Sequence, residues 1–355
     1  MKRELSAYLD LLRILAAFAV FVSHLSWHQL TGGFLWQIQF LGHPAVVVFF
    51  VLSGFVIQYA ASTKETTIES YTVARFARLY SVVLPALALT FACDTFGMNH
   101  NASVYIPDRE TIPLERLTAA ALFLSQSWKL NLTLLSNDAF WSLPYEFWYY
   151  QIFATATFFV GKTRVALIIG VMLITGPAIL LLLPVWLLGV AAYRVSVKIK
   201  IGKIGGAVLW FGGVAGIIAS VALRNAGVFH VYADVDFLPP GFSLTDYLLG
   251  VSVAGNIVGA ACLDLPLARF AKPLSAVAGI TFALYLFHLP LLHLAAAYIP
   301  THWPVSARGI AAALFTLGVV LALSFLTERR KRRKREWRMV FRWLYARVFP
   351  VNSMK

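Results

Sequence analysis

Arg13 and His24 lie in a single apolar run, Leu11-Leu12-Arg13-Ile14-Leu15-Ala16-Ala17-Phe18-Ala19-Val20-Phe21-Val22-Ser23-His24. Ionisable side chains in hydrocarbon cost several kilocalories per mole, so they usually face a bundle interior or a wet cavity and mark a functional path. Eleven helical steps bring the two back to nearly the same face, about 16 Å apart along the axis. The plain alternative is that Arg13 snorkels to the headgroups beside Asp10 while His24 is a hydrogen-bonded packing residue. Arg75 and Arg78 form a second pair at i and i+3, where two guanidinium forks would suit a phosphorylated ligand. Ordinary anchoring at a membrane face would use the same residues.

Glu146 is the third feature, inside Trp141-Ser142-Leu143-Pro144-Tyr145-Glu146-Phe147-Trp148-Tyr149-Tyr150. A carboxylate among so many aromatics needs a partner or a raised pKa, and either suits proton handling. Two further segments can line an interior. Ser53-Gly54 places small residues in an apolar run, which admits a close neighbour, whether helix or ligand. Tyr285 and His288, one turn apart in Leu284-Tyr285-Leu286-Phe287-His288, can serve as structural or ligand-contacting groups.

The elements that must position these groups are membrane helices. Hydrophobic residues make up 59% of the chain, charged residues 13%, and mean hydropathy is +0.74, far from a soluble domain. Ten spanning candidates lie near 8–29, 38–60, 76–97, 141–161, 164–182, 184–196, 204–223, 244–263, 274–299 and 306–327. At Pro184 one re-entrant segment could replace two short spans. The first run is too long for a signal peptide core and carries two ionisable groups, so it reads as a retained helix.

Charge placement orients the bundle. With Lys2 and Arg3 cytoplasmic, every even-numbered connection carries cations: Lys64 to Arg78; Lys162 and Arg164; Arg194 to Lys203; Arg269 and Lys272; Arg329 to Arg335. Opposite connections are acidic or sparse, with Asp108, Glu110, Glu115, Asp138, Asp234 and Asp236. Both termini are therefore expected in the cytoplasm, in an all-α bundle of about ten helices over residues 1–328. Residues 329–355 form a basic tail, in which Trp337, Val340, Phe341, Leu344 and Val348 recur against Arg338, Arg342 and Arg347. This spacing predicts an interfacial helix on anionic lipid. The membrane setting accounts for the net charge of +14 without nucleic acid. Cys93 and Cys262 fall near opposite ends of their helices, and neither suggests a disulfide or a metal site.

Taken in order, Arg13 through His24, Phe49 to Ile57, Arg75 with Arg78, Trp141-Ser142-Leu143 with Glu146, and Leu284 to His288 resemble the acyltransferase-3 family of integral-membrane O-acyltransferases. The resemblance covers nearly the whole chain and implies the one-domain form. It implies transfer of an acyl group, commonly acetyl, from cytoplasmic acetyl-CoA or another acyl-CoA to a hydroxyl of an extracytoplasmic glycan or lipid-linked saccharide. A bacterial inner membrane would suit such an enzyme. By the same resemblance His24 is the catalytic base and Arg13, Arg75 and Arg78 lie near CoA; as cations at the membrane face they would hold its phosphates, and Ser53, Trp141, Tyr285 and His288 are expected to line the site. Glu146 would orient the imidazole, and an acyl-histidine route stays open. No metal is implied. Ser81, where many relatives carry proline, and the basic run after Glu328 depart from the family pattern. The competing class is a transporter or flippase with a proton-coupled path, against which the lack of an internal repeat counts.

Overall fold

The computed structural model describes residues 1–105, 113–228, 238–327 and 331–348. It is helical, with no strand among those residues. Ten long helices are α1 (Arg3–Leu25), α2 (Gly42–Thr63), α3 (Ile68–Asn101), α4 (Ser142–Phe158), α5 (Gly161–Thr175), α6 (Leu183–Lys198), α7 (Lys203–Asn225), α8 (Thr245–Cys262), α9 (Thr281–Tyr298) and α10 (Val305–Thr327). A final helix, α11, spans Lys331–Val348. Eight helical stretches among the described residues are long and apolar enough to cross a membrane. The two omitted are α4 and α5, of 17 and 15 residues.

The expected break at Pro184 is present as a helix boundary at Leu182, and a sharper one precedes it. Pro184 sits in the first turn of α6, where its missing N–H is no loss. The chain also turns at Gly176-Pro177, with Gly176 at φ +75°, and a five-residue helix, Pro177–Leu181, leads into α6. A side chain at Gly176 would also meet the backbone of Trp128 at 2.9 Å. The third span, expected over 76–97, is a 34-residue helix started by a Thr67–Ser70 capping box. At 1.5 Å per residue it is about 50 Å long and outreaches a hydrocarbon core.

Helices α1, α2, α3 and α9 form the centre, with α6 and α8 packed on α2 and with α7 and α10 outermost. Lipid tails are as apolar as leucine, so association depends on close packing and polar ties. Gly54 of α2 faces Trp186 and Val190 of α6, and Gly189 of α6 faces Val51 and Phe55 in return. The Ser53-Gly54 pair thus admits a neighbouring helix. Tyr8 Oη donates to Asn256 Oδ1 (2.6 Å) and accepts from Trp210 Nε1 (3.0 Å), tying α1, α7 and α8. In α9, Pro290 cannot donate to the carbonyl of Leu286, and Asn137 Nδ2 does so at 2.9 Å.

Two charged ties mark opposite ends of the bundle. At one, Lys203 and Lys2 reach Asp264 at 3.0 and 3.6 Å and hold its carboxyl below the usual range, the Lys203 hydrogen bond contributing most. At the other, buried Asp246 accepts from Arg224 Nη1 (2.8 Å), His43 Nε2 (3.0 Å) and the Ser243 amide (3.1 Å). The first is termed the basic end below.

Helix α11 turns part of its expected apolar stripe toward protein. Phe341 packs against Phe76 and Tyr80 of α3 and stacks on Trp337, while Arg342 pairs with Glu69 at 3.2 Å. Trp337 and Phe341 therefore face protein, whereas Met339, Val340, Trp343 and Leu344 are exposed. The side chains of the run Arg329 to Arg335 and of Val348, the boundary at 328, and Asp108, Glu110, Asp234 and Asp236 lie outside the described residues.

Candidate active site

A cavity of about 310 Å³ opens between α1, α2, α3, α4 and α9. Four guanidinium groups line it: Arg13 from α1, Arg75 and Arg78 from α3, and Arg338 from α11. Glu146 is the one carboxylate among the lining residues. Such a surplus of cations in a partly apolar space suits a polyanion.

Each cation is held differently. Arg13 is half-buried, 3.9 Å from Asp10 in an i, i+3 pair, and within Coulombic reach of Arg78 and Glu146. The headgroup-side pairing with Asp10 and a place in the cavity are thus compatible. Arg75 is buried, its Nη2 donating to both oxygens of Glu65 at 2.5 and 2.7 Å. The rings of Tyr71 and Tyr150 lie 5.8 and 5.9 Å from its guanidinium carbon. Its buried Nε has no hydrogen-bond partner. Buried donors are rarely left so, and Arg75 is itself one of the residues that line the cavity. Arg78 and Arg338 are exposed.

On the far side of these cations, Glu146 Oε1 accepts from Ser53 Oγ (2.8 Å) and from Tyr150 Oη, and Trp186 Nε1 donates to Ser53 Oγ at 3.2 Å. The carboxylate is thus fixed by hydroxyls from α2 and from its own helix. It is not the partner of His24. That expectation is corrected: the Nδ1 of His24 lies 2.7 Å from the Nε2 of His288. The ring of Trp27 covers His24 edge-on at 4.8 Å.

The structure therefore gathers Arg13, Arg75, Arg78, Ser53, Glu146 and Tyr285 around one cavity and sets His24 and His288 beyond it. Tyr285 joins the two regions. It lines the cavity, bonds Ser142 Oγ at 2.6 Å, and its ring lies 6.3 Å from that of His288. Trp141 is not among the lining residues; it stacks on His43 at 5.8 Å and edges onto Phe50 and Tyr145. Arg13 and His24 share the unbroken helix α1, so their separation is the 16 Å that eleven residues dictate.

Three participants escaped the sequence reading. Tyr150 is one turn from Glu146, a spacing that was visible. Glu65 lies in the connection between α2 and α3, with no local signal. Arg338 occupies the polar face of a helix whose docking on α3 only Phe341 hinted at.

The fold and site together define an integral-membrane helical bundle with a cationic cavity and an imidazole pair beyond it. Residues 6–329 match the model of a family described as an acyltransferase domain, Acyl_transf_3. The chain belongs to this acyltransferase family. It is similar to an O-acetyl transferase of Shigella phage Sf6, 28% identical over 156 residues, or 41% of this chain and 44% of that protein. It is also similar to the acyltransferase MdmB of Streptomyces mycarofaciens, 31% identical over 155 residues, or 40% and 36% of the two chains. The matched region spans less than half the length of either relative. No solved structure matches.

Proposed function

We propose that this chain is an integral-membrane O-acyltransferase, with acyl-CoA, acetyl-CoA by preference, as donor. The acceptor is a hydroxyl of a glycan or lipid-linked saccharide on the opposite side of a bacterial inner membrane. The observation that carries this reading is the cavity lined by Arg13, Arg75, Arg78 and Arg338, with a neutral-capable imidazole 16 Å along α1. The name of the phage relative supports acetyl as the group moved. In this reading α4 and α5 also cross the membrane, giving ten spans, and the basic end with both termini is cytoplasmic. Residues 1–328 form the catalytic domain. Residues 329–355 are a basic tail whose exposed Met339, Val340, Trp343 and Leu344 meet lipid, with its cations against anionic headgroups.

CoA is a polyanion with its thioester at the end of a long arm. The four arginines that line the cavity hold its phosphates. Glu146, fixed by Ser53 and Tyr150, offsets the repulsion between Arg13 and Arg78 and keeps them in register. The arm runs past Phe49 and Tyr285 toward His24. Neutral His24 takes the proton of the acceptor hydroxyl as its oxygen attacks the thioester carbon; the new ester forms as the carbon–sulfur bond breaks.

The test uses purified protein in nanodiscs with radiolabelled acetyl-CoA. Wild type is expected to bind the donor and to transfer label to a saccharide acceptor. His24→Ala should bind with unchanged affinity and transfer at least ~10²-fold more slowly. Arg75→Gln with Arg78→Gln should lose binding. Absence of acyl-CoA binding by folded wild type would overturn the reading in favour of a transporter, and full transfer by His24→Ala would overturn the assignment of the base.

A further inference from the structure

The hydrogen bonds around His288 determine which atom of His24 is free. His288 is fully buried in α9, and its Nδ1 lies 2.8 Å from the carbonyl oxygen of Leu284, one turn earlier. A carbonyl can only accept, so Nδ1 of His288 carries a proton. In a neutral ring its Nε2 is then a bare acceptor. The Nδ1 of His24, 2.7 Å away, must be the donor. That leaves Nε2 of His24 without a proton. The position of α9 is itself braced, because Asn137 occupies the carbonyl that Pro290 leaves open and Tyr285 is tied to Ser142 and to the carbonyl of Ala139.

We infer that His288 is a positioning residue and second proton station for His24, the two imidazoles forming a dyad that presents Nε2 of His24 as the base and holds one extra proton between them. This deepens the proposed function and rests on the assignment of His24 as base. Two imidazolium rings in hydrogen-bond contact would repel strongly in an apolar interior, so the pair takes up a single proton. When Nε2 of His24 accepts the hydroxyl proton, the Nδ1 proton of His24 passes to Nε2 of His288, and the charge spreads away from the reacting carbon. His288 then has both nitrogens protonated and keeps its bond to Leu284. Return of that proton through His24 to the CoA sulfur gives the thiol and restores the neutral dyad. One O–H and one C–S bond break, one C–O and one S–H bond form, and no other reagent is needed. A carboxylate partner would hold the imidazole by charge; here orientation comes from a neutral ring fixed by its own helix backbone.

Two measurements test the dyad. In protein labelled with ¹⁵N-histidine, both His24 and His288 should show the Nδ1–H tautomer, which is the minor form in water, with signals assigned by loss in His24→Gln and His288→Gln. This readout does not depend on catalysis. In kinetics, His288→Ala should lower kcat about 10²-fold with the donor KM within about twofold. His288→Gln, whose amide oxygen can accept from Nδ1 of His24, should recover about tenfold of that loss, since orientation returns but the proton station does not. An Nε2–H signature for His24 would overturn the inference, as would a glutamine variant no better than alanine or a loss carried equally by KM. Full activity in His24→Ala alongside the expected ¹⁵N signature would instead refute the assignment of His24 and leave the geometry of the pair intact.

Discussion

Gly54→Ala is the sharpest test of how the bundle holds the site. A Cβ at residue 54 would lie 3.2 Å from the carbonyl carbon of Trp186 and 3.2 Å from the amide nitrogen of Val190, and closer still to the carbonyl oxygen of Trp186. All three are backbone atoms, so no side-chain rotation relieves the contact. The α2–α6 pair must separate by about 1 Å, and a gap of that size forfeits a quarter to a half of each dispersion well along the seam. Overpacking of this kind costs about 3 kcal/mol, the upper end of its usual range. For a protein of this size that lowers the apparent melting temperature by about 6 °C at two degrees per kilocalorie. The control is Gly170→Ala in α5, where a Cβ would meet nothing within 4 Å; helix propensity makes that change neutral or stabilising by up to about 1 kcal/mol. Because Ser53 adjoins Gly54, the same movement should open the 3.2 Å bond from Trp186 and the 2.8 Å bond to Glu146. Tryptophan fluorescence during thermal unfolding in detergent reads the stability, and acetyl-CoA titration reads the site. A Gly54→Ala protein that melts with Gly170→Ala and binds donor normally would refute the close-packing argument.

Asp246→Ala leaves Arg224 and His43 without their shared carboxylate and should cost about 3–5 kcal/mol, with Asp246→Asn recovering part of it in the same melting assay. Arg338→Gln removes an exposed charge, so acetyl-CoA affinity should fall only about two- to fivefold at low salt and not measurably at high salt; a salt-insensitive loss in calorimetry would show that Arg338 acts through packing. Asn137→Ala exposes the buried carbonyl of Leu286 to no donor and should cost about 1–3 kcal/mol, read as a lowered melting point.

Local patterns were legible where one helix sufficed. Arg13 and His24 on one face followed from helical geometry because α1 is unbroken, and Ser53-Gly54 announced a close approach that proved to be α6. The place of a break was harder to read. Pro184 marks the start of α6, as a proline in a first turn can, but the sharper turn of the chain lies at Gly176, at φ +75°. Partnerships between distant segments left no trace: His24 and His288 are 264 residues apart, and nothing near either names the other. The tail was legible in part, for a related reason. Its amphipathic period is real, but periodicity does not say whether the apolar stripe meets lipid or α3.

In the proposed function, the division of labour between the helices constrains how donor and base cooperate. Helix α1 carries Arg13 beside the cavity and His24 beyond it, and α9 carries Tyr285 in the cavity wall and His288 in the imidazole pair. The two stations are therefore joined by two continuous helices that also pack on each other. A shift of either helix along its axis would move a cation or a wall residue and an imidazole together, so the proposed phosphate grip and base position cannot be adjusted separately by sliding. They can be adjusted separately through side chains held from elsewhere. Arg75 is set by Glu65, Glu146 by Ser53 and Tyr150, and Arg338 by the docking of α11 on α3. Under the proposed function, selection for a different donor can act on those groups while α1 and α9 keep the spacing between cavity and imidazole pair.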